Sequence, residues 1–456
     1  MRQRPEPPEL RLHRRQFLIG PEPVLARDDW RTVEVAAELY LTHCPKLPVR
    51  RTAAGLVLGI AIPTEPDGVE MSWMGRWVLV RDRALELDVG GLLGCFYRTT
   101  PSGLWASSSP EILRGLPPEL PLPPHRLVHA KDMDWYPPPR SGIDSVLRLL
   151  PTQTLDLRDG ALAPRPLLPP IPAFTYEDVL ASAERRLTGA IAKLARVYDE
   201  VWIALTGGAD SRLVLAAAHA TGLCPTTFTF IRANLKDADR YLPPKIAQAL
   251  GLDHRAIPYR TPHSEALQLF DRHTARHTVD EPRTTVCAGL WDEIPRSALV
   301  LGGGNFEAAR GRYYDRLPAD MPGTAEATAE LILSLHPSTV PMGIHEWAAW
   351  LHATHDGAHD WRDRFYIEQK MAGWRSSLTQ GVDLAGRDQV LPANCSNLLA
   401  ELLAVPAELR ADAVHYRDLI ARMAPPLADF PVNPPMSLAR RLRRKIRTLS
   451  SPLRGA

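Results

Sequence analysis

Up to about residue 160 the apolar positions fall in short runs broken by turn residues, a pattern that predicts strands. Residues 56–62 are almost wholly apolar and form a candidate buried strand. Residues 77–80 and 85–88 run or alternate apolar. Residues 92–97 and 104–109 flank the turn residues Thr100, Pro101, Ser102 and Gly103, which predicts a hairpin, with a short helix at 110–113 after it. The period changes at Thr175. From Tyr176 to Tyr198 the side chains of Val179, Leu180, Leu187, Ile191 and Leu194 recur at helical spacing, and Thr175 and Asp178 are placed as a capping box. Residues 201–205 are continuously apolar, as in a strand buried on both faces. A loop at 206–211 and a helix at 212–220 follow. Strands at 226–231, 254–257 and 298–301, with a helix at 239–250, continue the alternation, and residues 320–430 read as mainly helical. The predicted class is α/β: a β-rich N-terminal domain, then a doubly wound parallel sheet with a helical C-terminal part.

Proline divides this plan. The chain has 44 prolines, concentrated at 117–124, 137–139 and 164–172. They interrupt helices and central strands. Residues 161–174 therefore read as a linker, giving expected units of 1–160, 161–174, 175–437 and a basic tail at 438–456. The length of 456 residues allows two or three domains, and an apolar fraction of 45% suffices for large cores. A formal net charge of +2 gives no reason to expect a nucleic-acid partner. Cys44, Cys95, Cys224, Cys287 and Cys395 have neither zinc-ligand nor redox-motif spacing, which predicts a reducing cytoplasm. The first fifteen residues lack the apolar core of a signal peptide, and no apolar run reaches the ~20 residues of a membrane helix.

The chemistry is expected at Thr206-Gly207-Gly208-Ala209-Asp210-Ser211. A bare Gly-Gly pair is usually only a turn. Here it lies between a buried strand and a helix, so loop amides and the first helical turn make an anion site. Thr206 and Ser211 add hydroxyls. Asp210 would repel a bare phosphate and fits a divalent cation that bridges phosphate oxygens. Arg212 adds positive charge. The Walker string Gly-x-x-x-x-Gly-Lys-Ser/Thr is absent.

The loop instead resembles the Ser-Gly-Gly-x-Asp-Ser pyrophosphate loop of AMP-forming enzymes, with Thr206 for the usual serine. Further segments are similar to the asparagine-synthetase superfamily, which includes beta-lactam synthetases and lasso-peptide cyclases. These are Asp239 to His254, Leu301-Gly302-Gly303-Gly304-Asn305-Phe306-Glu307 with Arg310 to Tyr314 behind it, Val390-Leu391-Pro392-Ala393-Asn394, and Val405 to Arg410. Residues 88–109 and 149–153 resemble parts of that family's glutaminase-type domain. The resemblance implies an Ntn-hydrolase-like α+β N-terminal domain and an ATP pyrophosphatase domain of the adenine nucleotide α-hydrolase kind. It implies ATP and Mg2+ as cofactors, an acyl-adenylate intermediate, and small-molecule or peptide carboxylate and amine substrates, with a homodimer or pathway partner as further expectations. ATP is expected on Leu205, Thr206, Gly207, Gly208, Asp210, Ser211, Phe230, Gly302 and Gly303. Asp210 is the expected metal ligand, and Glu307 and Arg212 the expected catalytic residues.

Three departures accompany the resemblance. No cysteine stands near the N-terminus, the first being Cys44, so no glutamine hydrolysis is expected. Phe306 occupies the position of a metal-binding aspartate, and Gly303 that of a catalytic glutamate or tyrosine. Asp237, Asp239, Asp292, Glu293 and Glu307 are candidate substitutes for the missing carboxylate. These departures leave a nucleotide-binding scaffold or regulatory protein as the alternative to a ligase. Outside the loop, His352, His355 and His359 have helical spacing for a metal but read more simply as incidental surface residues, beside His345. Residues 366–371 and Trp374 are candidates for an acceptor pocket, and the Arg-rich run at 438–447, with Lys445, for an anionic contact.

Overall fold

The computed structural model describes residues 7–434, apart from 25–26, 67, 125–126, 132, 171–173, 233–234, 315–321, 356 and 358. The expected tail, with Lys445, lies outside the described residues.

The N-terminal half is built on two six-stranded antiparallel sheets. One runs Leu147–Arg148, Phe96–Thr100, Gly103–Ser107, Phe17–Gly20, Leu39–His43, Arg31–Ala36; the other Leu162–Pro164, Gln153–Asp156, Ala84–Leu87, Trp73–Arg81, Gly55–Pro63, Val49–Thr52. Alternate side chains of both, including Phe17, Ile19, Leu41, Leu58, Val78 and Val80, close one apolar layer between them. The expected hairpin is present, with Thr100 opposite Gly103, and the short helix follows at Pro110–Arg114. Residues 161–174 are not a patternless linker throughout. Leu162–Pro164 pairs with Gln153–Asp156 at the edge of the second sheet, where a proline costs no ladder bond inside the sheet.

Helix α1 (Tyr176–Ala195) opens the second half, with the Thr175–Asp178 capping box formed in both directions. Five parallel strands follow: β1 (Val201–Ala204), β2 (Thr226–Ile231), β3 (His254–Pro258), β4 (Leu299–Leu301) and β5 (Asp388–Val390). Their order is β3-β2-β1-β4-β5. Val201 and Ile203 of β1 and Leu299 and Leu301 of β4 enter one core; Trp202 and Val300 enter the core on the opposite face. Both faces are thus covered, which is why β1 reads as a continuous apolar run. Helix α2 (Ala209–Ala220) follows β1, and α3 (Asp237–Ala249) follows β2. Strand β5 has only three residues and was not predicted. It is recruited by the backbone of β4, with Leu301 opposite Val390.

The two halves meet along a buried polar seam. Arg76 donates two hydrogen bonds of 2.7 Å to the Asp383 carboxylate. Asn394 donates to Asp88 at 2.7 Å, and Asp88 also accepts from the backbone amides of Trp77, Gly90 and Leu92. Arg148 reaches the carbonyl of Gly373 and the hydroxyls of Ser376 and Ser377. Among the described residues no helix is long and apolar enough to cross a membrane.

Candidate functional site

In an open α/β sheet a ligand crevice forms where neighbouring strands send their connections to opposite sides. With the order β3-β2-β1-β4-β5, that point lies between β1 and β4. The loops leaving these strands are Leu205–Gly208 and Gly302–Asn305, so the fold brings the two glycine-rich segments together. They border an open cleft of about 510 Å³, within the range of small-molecule sites.

The first loop is ordered from within. The Thr206 amide donates to Ser211 Oγ at 3.0 Å, the two hydroxyls lie 3.0 Å apart, and the Gly208 amide donates to Thr206 Oγ1 at 3.2 Å. Gly208 is the N-cap of α2, and of the first helical turn Asp210 and Ser211 line the cleft, whereas Gly207 and Gly208, expected to bind ATP, are not among the cleft-lining residues. The Gly207 amide donates to Asp239 Oδ1 at 2.7 Å. Of the candidate substitute carboxylates, Asp239 is therefore the one that touches the loop. Asp292 pairs instead with Arg387 at 3.4 Å and Glu293 with Arg260.

Gly303 lies against the start of α2. A Cβ there would stand 2.4 Å from the Ser211 amide nitrogen and 2.6 Å from the Asp210 carbonyl carbon, so no larger residue fits this crossing. Gly302 and Gly303 both line the cleft, as do Leu205, Thr206, Asp210 and Ser211. The opposite wall is aromatic. Phe230, at the end of β2, packs edge-on against Phe228 and Trp291 with ring centroids 5.2 and 5.3 Å away. Arg232, Lys236 and Arg375 add positive charge around the cleft. Arg232 is paired with Glu281 at 2.6 Å; Arg375 packs on the backbone of Gly304 and over the Trp374 ring at 4.5 Å.

Three sequence expectations change. Arg212 does not face the cleft. It is 1% exposed and donates to the carbonyls of Gly207, Phe430 and Pro431 at 2.9, 2.6 and 2.9 Å. Helical periodicity turns it behind the loop, where it fastens the loop to the segment at 430–433. Asp210, the expected metal ligand, carries an ion pair that spacing did not foresee: its Oδ2 accepts from Arg310 at 2.9 Å. Glu307 is not among the cleft-lining residues. It accepts from Tyr366 at 3.1 Å and faces Arg312 at 3.2 Å, Lys370 at 3.4 Å and Arg310 at 3.7 Å. Burial would raise this carboxyl, but Lys370, Arg312 and Arg310 outweigh it and hold it below the usual range. A carboxylate held ionised among three cations is a weak proton acceptor. For Asp210 the balance is reversed. Burial pushes it up to about 6 despite Arg310, and Oδ1 has no hydrogen-bond partner among the described residues.

Phe306 is fully buried and packs edge-on against Tyr416 with ring centroids 5.6 Å apart, so nothing at that position points to a cation. The histidine group does not form either. The helix Met342–Thr354 ends before His355, which has extended backbone, and no cluster of three potential ligands exists among the described residues. The acceptor-pocket segment divides: Lys370 turns to Glu307, Gln369 and Glu368 are fully buried, and Arg375, which spacing had not singled out, reaches the cleft. In the N-terminal half Cys44 and Cys95 are both buried, and burial pushes the Cys95 thiol up to about 12. Asp239, Trp291, Arg310 and Arg375 are thus the site residues that sequence reasoning missed or did not choose. The signal for Arg310 was its place at the head of the 310–314 stretch behind the second loop, which gives no partner for it.

No family model and no curated protein matches the chain. Among solved structures it is similar to the glutamine-dependent NAD+ synthetase from Acinetobacter baumannii in complex with ADP, at 16% identity and a TM-score of 0.22, over 36% of each chain. It is also similar to NMN synthetase from Francisella tularensis, at 14% identity and a TM-score of 0.23, over 58% of this chain and 100% of that one. The chain therefore spans about a third of the length of the first of these, the matched share being 36%. At such TM-scores the likeness assigns neither fold nor activity.

Proposed function

We propose that the chain is an ATP-dependent, AMP-forming carbon–nitrogen ligase. The observation that carries this reading is the meeting of Thr206–Ser211 and Gly302–Gly304 at the switch point of the parallel sheet, opposite an aromatic wall. The amides and hydroxyls of the loop suit a polyphosphate, and the Phe230–Trp291 wall suits a base. Hydrogen-bond donors fixed in a partly enclosed site stabilise charge that develops on the leaving pyrophosphate.

In this reading a substrate carboxylate oxygen attacks the α-phosphorus of ATP. The bond to the bridging oxygen breaks, pyrophosphate leaves, and an acyl-adenylate remains. An amine or ammonia then attacks the acyl carbon and expels AMP, giving an amide and releasing a proton. Arg375, packed on Gly304, supplies positive charge from the wall facing the loop. Arg212 and Asp239 hold the loop in shape. A lactam or macrolactam results when both reacting groups belong to one molecule.

The test is calorimetric titration of ATP into wild type and into Gly303→Ala. Micromolar to millimolar binding by wild type is expected. The added methyl must displace the start of α2, so the variant should bind at least about tenfold more weakly, a loss of ~1.4 kcal/mol, with its circular dichroism unchanged. Equal binding by both proteins would place ATP elsewhere. Binding at the loop then licenses a screen of carboxylate–amine pairs for AMP release.

A further inference from the structure

The sequence resemblance led to the expectation of a divalent cation held by Asp210 and a second carboxylate. The residues present do not fit one. Phe306 is in the core, and no third ligand approaches among the described residues. The space between Asp210 and Glu307 is occupied by a side chain: Arg310 Nη2 lies 2.9 Å from Asp210 Oδ2 and 3.7 Å from Glu307 Oε1. A metal ion brought to Glu307 would also meet Arg312 and Lys370, at 3.2 and 3.4 Å from that carboxylate. What remains for a cation in the cleft is the unpartnered Asp210 Oδ1 and the Asp239 carboxylate, one oxygen of which is already taken by the Gly207 amide, short of the ligand set a divalent ion requires.

We infer that Arg310 takes the place of a protein-held metal ion: it neutralises Asp210 at the mouth of α2, so that the loop binds a nucleotide polyphosphate without a cation ligated by the protein. The inference rests on the nucleotide reading above. The physical need is plain. Asp210 lines the same cleft as Thr206 and Ser211, and a bare carboxylate there would repel the phosphates that the loop amides attract. A guanidinium is permanently charged, planar and able to bridge two carboxylates, which is what this position demands. It also explains why Arg310 can be kept where it is only about a quarter exposed, its side chain being 27% accessible. It has a carboxylate on either side.

The experiment is titration of ATP in excess EDTA and again in excess Mg2+, with wild type, Arg310→Ala and the double variant Asp210→Asn/Arg310→Ala. Wild-type affinity is expected to agree within about threefold between the two buffers, since loss of a protein-held cation would cost far more than that. Arg310→Ala uncovers Asp210. It should lose roughly tenfold or more in EDTA, and recover part of that in Mg2+ because the freed carboxylate can now hold the ion. The double variant removes the exposed charge as well and should return to within about threefold of wild type in EDTA. Such rescue cannot come from a misfolded single variant. Wild-type binding that vanishes in EDTA overturns the inference while leaving the nucleotide reading intact, and so does a double variant that fails to recover. Absence of wild-type binding in both buffers overturns the nucleotide reading, and this inference with it.

Discussion

Asp388 lies on β5 beside the seam between the halves, Asp210 at the cleft, and each faces arginine. Asp388 meets both Arg14 and Arg15 and accepts from the Tyr198 hydroxyl at 2.7 Å. Burial would raise its pKa, yet Arg15 and Arg14 outweigh burial and hold it at about 2. Asp210 is paired with Arg310, which it shares with Glu307, and has one oxygen without a partner; burial outweighs Arg310 and the weaker influence of Arg375, and it rises to about 6. The Asp388 carboxylate thus has partners on both oxygens, and Asp210 on one only. A carboxylate held at both oxygens has nothing to offer a ligand. One with an oxygen to spare can exchange partners, which is the property a binding site needs.

The comparison can be broken first at the seam. Asp383 accepts both Arg76 bonds and lies 3.8 Å from Arg15, and all three side chains are at most 5% exposed. Asp383→Ala leaves two buried guanidinium groups without that carboxylate and should destabilise the protein by about 3–5 kcal/mol in denaturant unfolding. A loss below ~1 kcal/mol would show that the seam pairs are no more committed than surface ones.

A smaller effect is expected at Asp388. Its folded pKa lies below its unfolded value, so its contribution is present above the unfolded value of 3.8 and is lost as pH falls through about 2. The shift corresponds to ~2 kcal/mol at neutral pH. Asp388→Asn should therefore be destabilised by about that amount at pH 7, the difference from wild type shrinking towards pH 2. A deficit that does not depend on pH would assign the loss to packing.

The smallest effect belongs to Asp210, and its sign is opposite. The folded protein retains this proton up to about 6, above the ordinary 3.8, so the contribution of Asp210 to stability falls as pH rises through that window. Asp210→Asn should gain ~1 kcal/mol relative to wild type between pH 4 and pH 8, the full linkage value being reduced because the carboxylate is partly solvated. Stability that instead declines in the variant as pH rises would mean that the Arg310 pair outweighs burial, and the contrast with Asp388 would vanish.

Much of the second half was legible because its signals are local. The Thr175–Asp178 cap, the continuous apolar run of β1 and the loop after it depend on neighbours within a few residues; the cap and the strand formed as expected, and the loop is shorter, because the helix begins at Ala209 and takes in Asp210 and Ser211. The β-rich character and the 100–103 hairpin of the first half were legible for the same reason. Strand β5 was not, because three residues carry no period of their own and it is the exposed edge of β4 that makes them a strand. The edge strand Leu162–Pro164 was hidden behind its prolines. Arg212 was misplaced because periodicity says that a residue lies on a helix, and only the docking of the segment at 430–433 says which side of that helix is covered.

By itself, then, the sequence determined that a glycine-rich loop with two hydroxyls and a carboxylate would sit between a buried strand and a helix, because backbone geometry and hydrophobic period act over short distances. Tertiary structure alone decided what that carboxylate would face. Arg310 is 100 residues along the chain from Asp210. It comes within 2.9 Å only because β4 pairs beside β1 and Gly303 lets the second loop press against the start of α2. Electrostatic partners are set by distance in space. No spacing in the chain encodes that distance until the strand order is known.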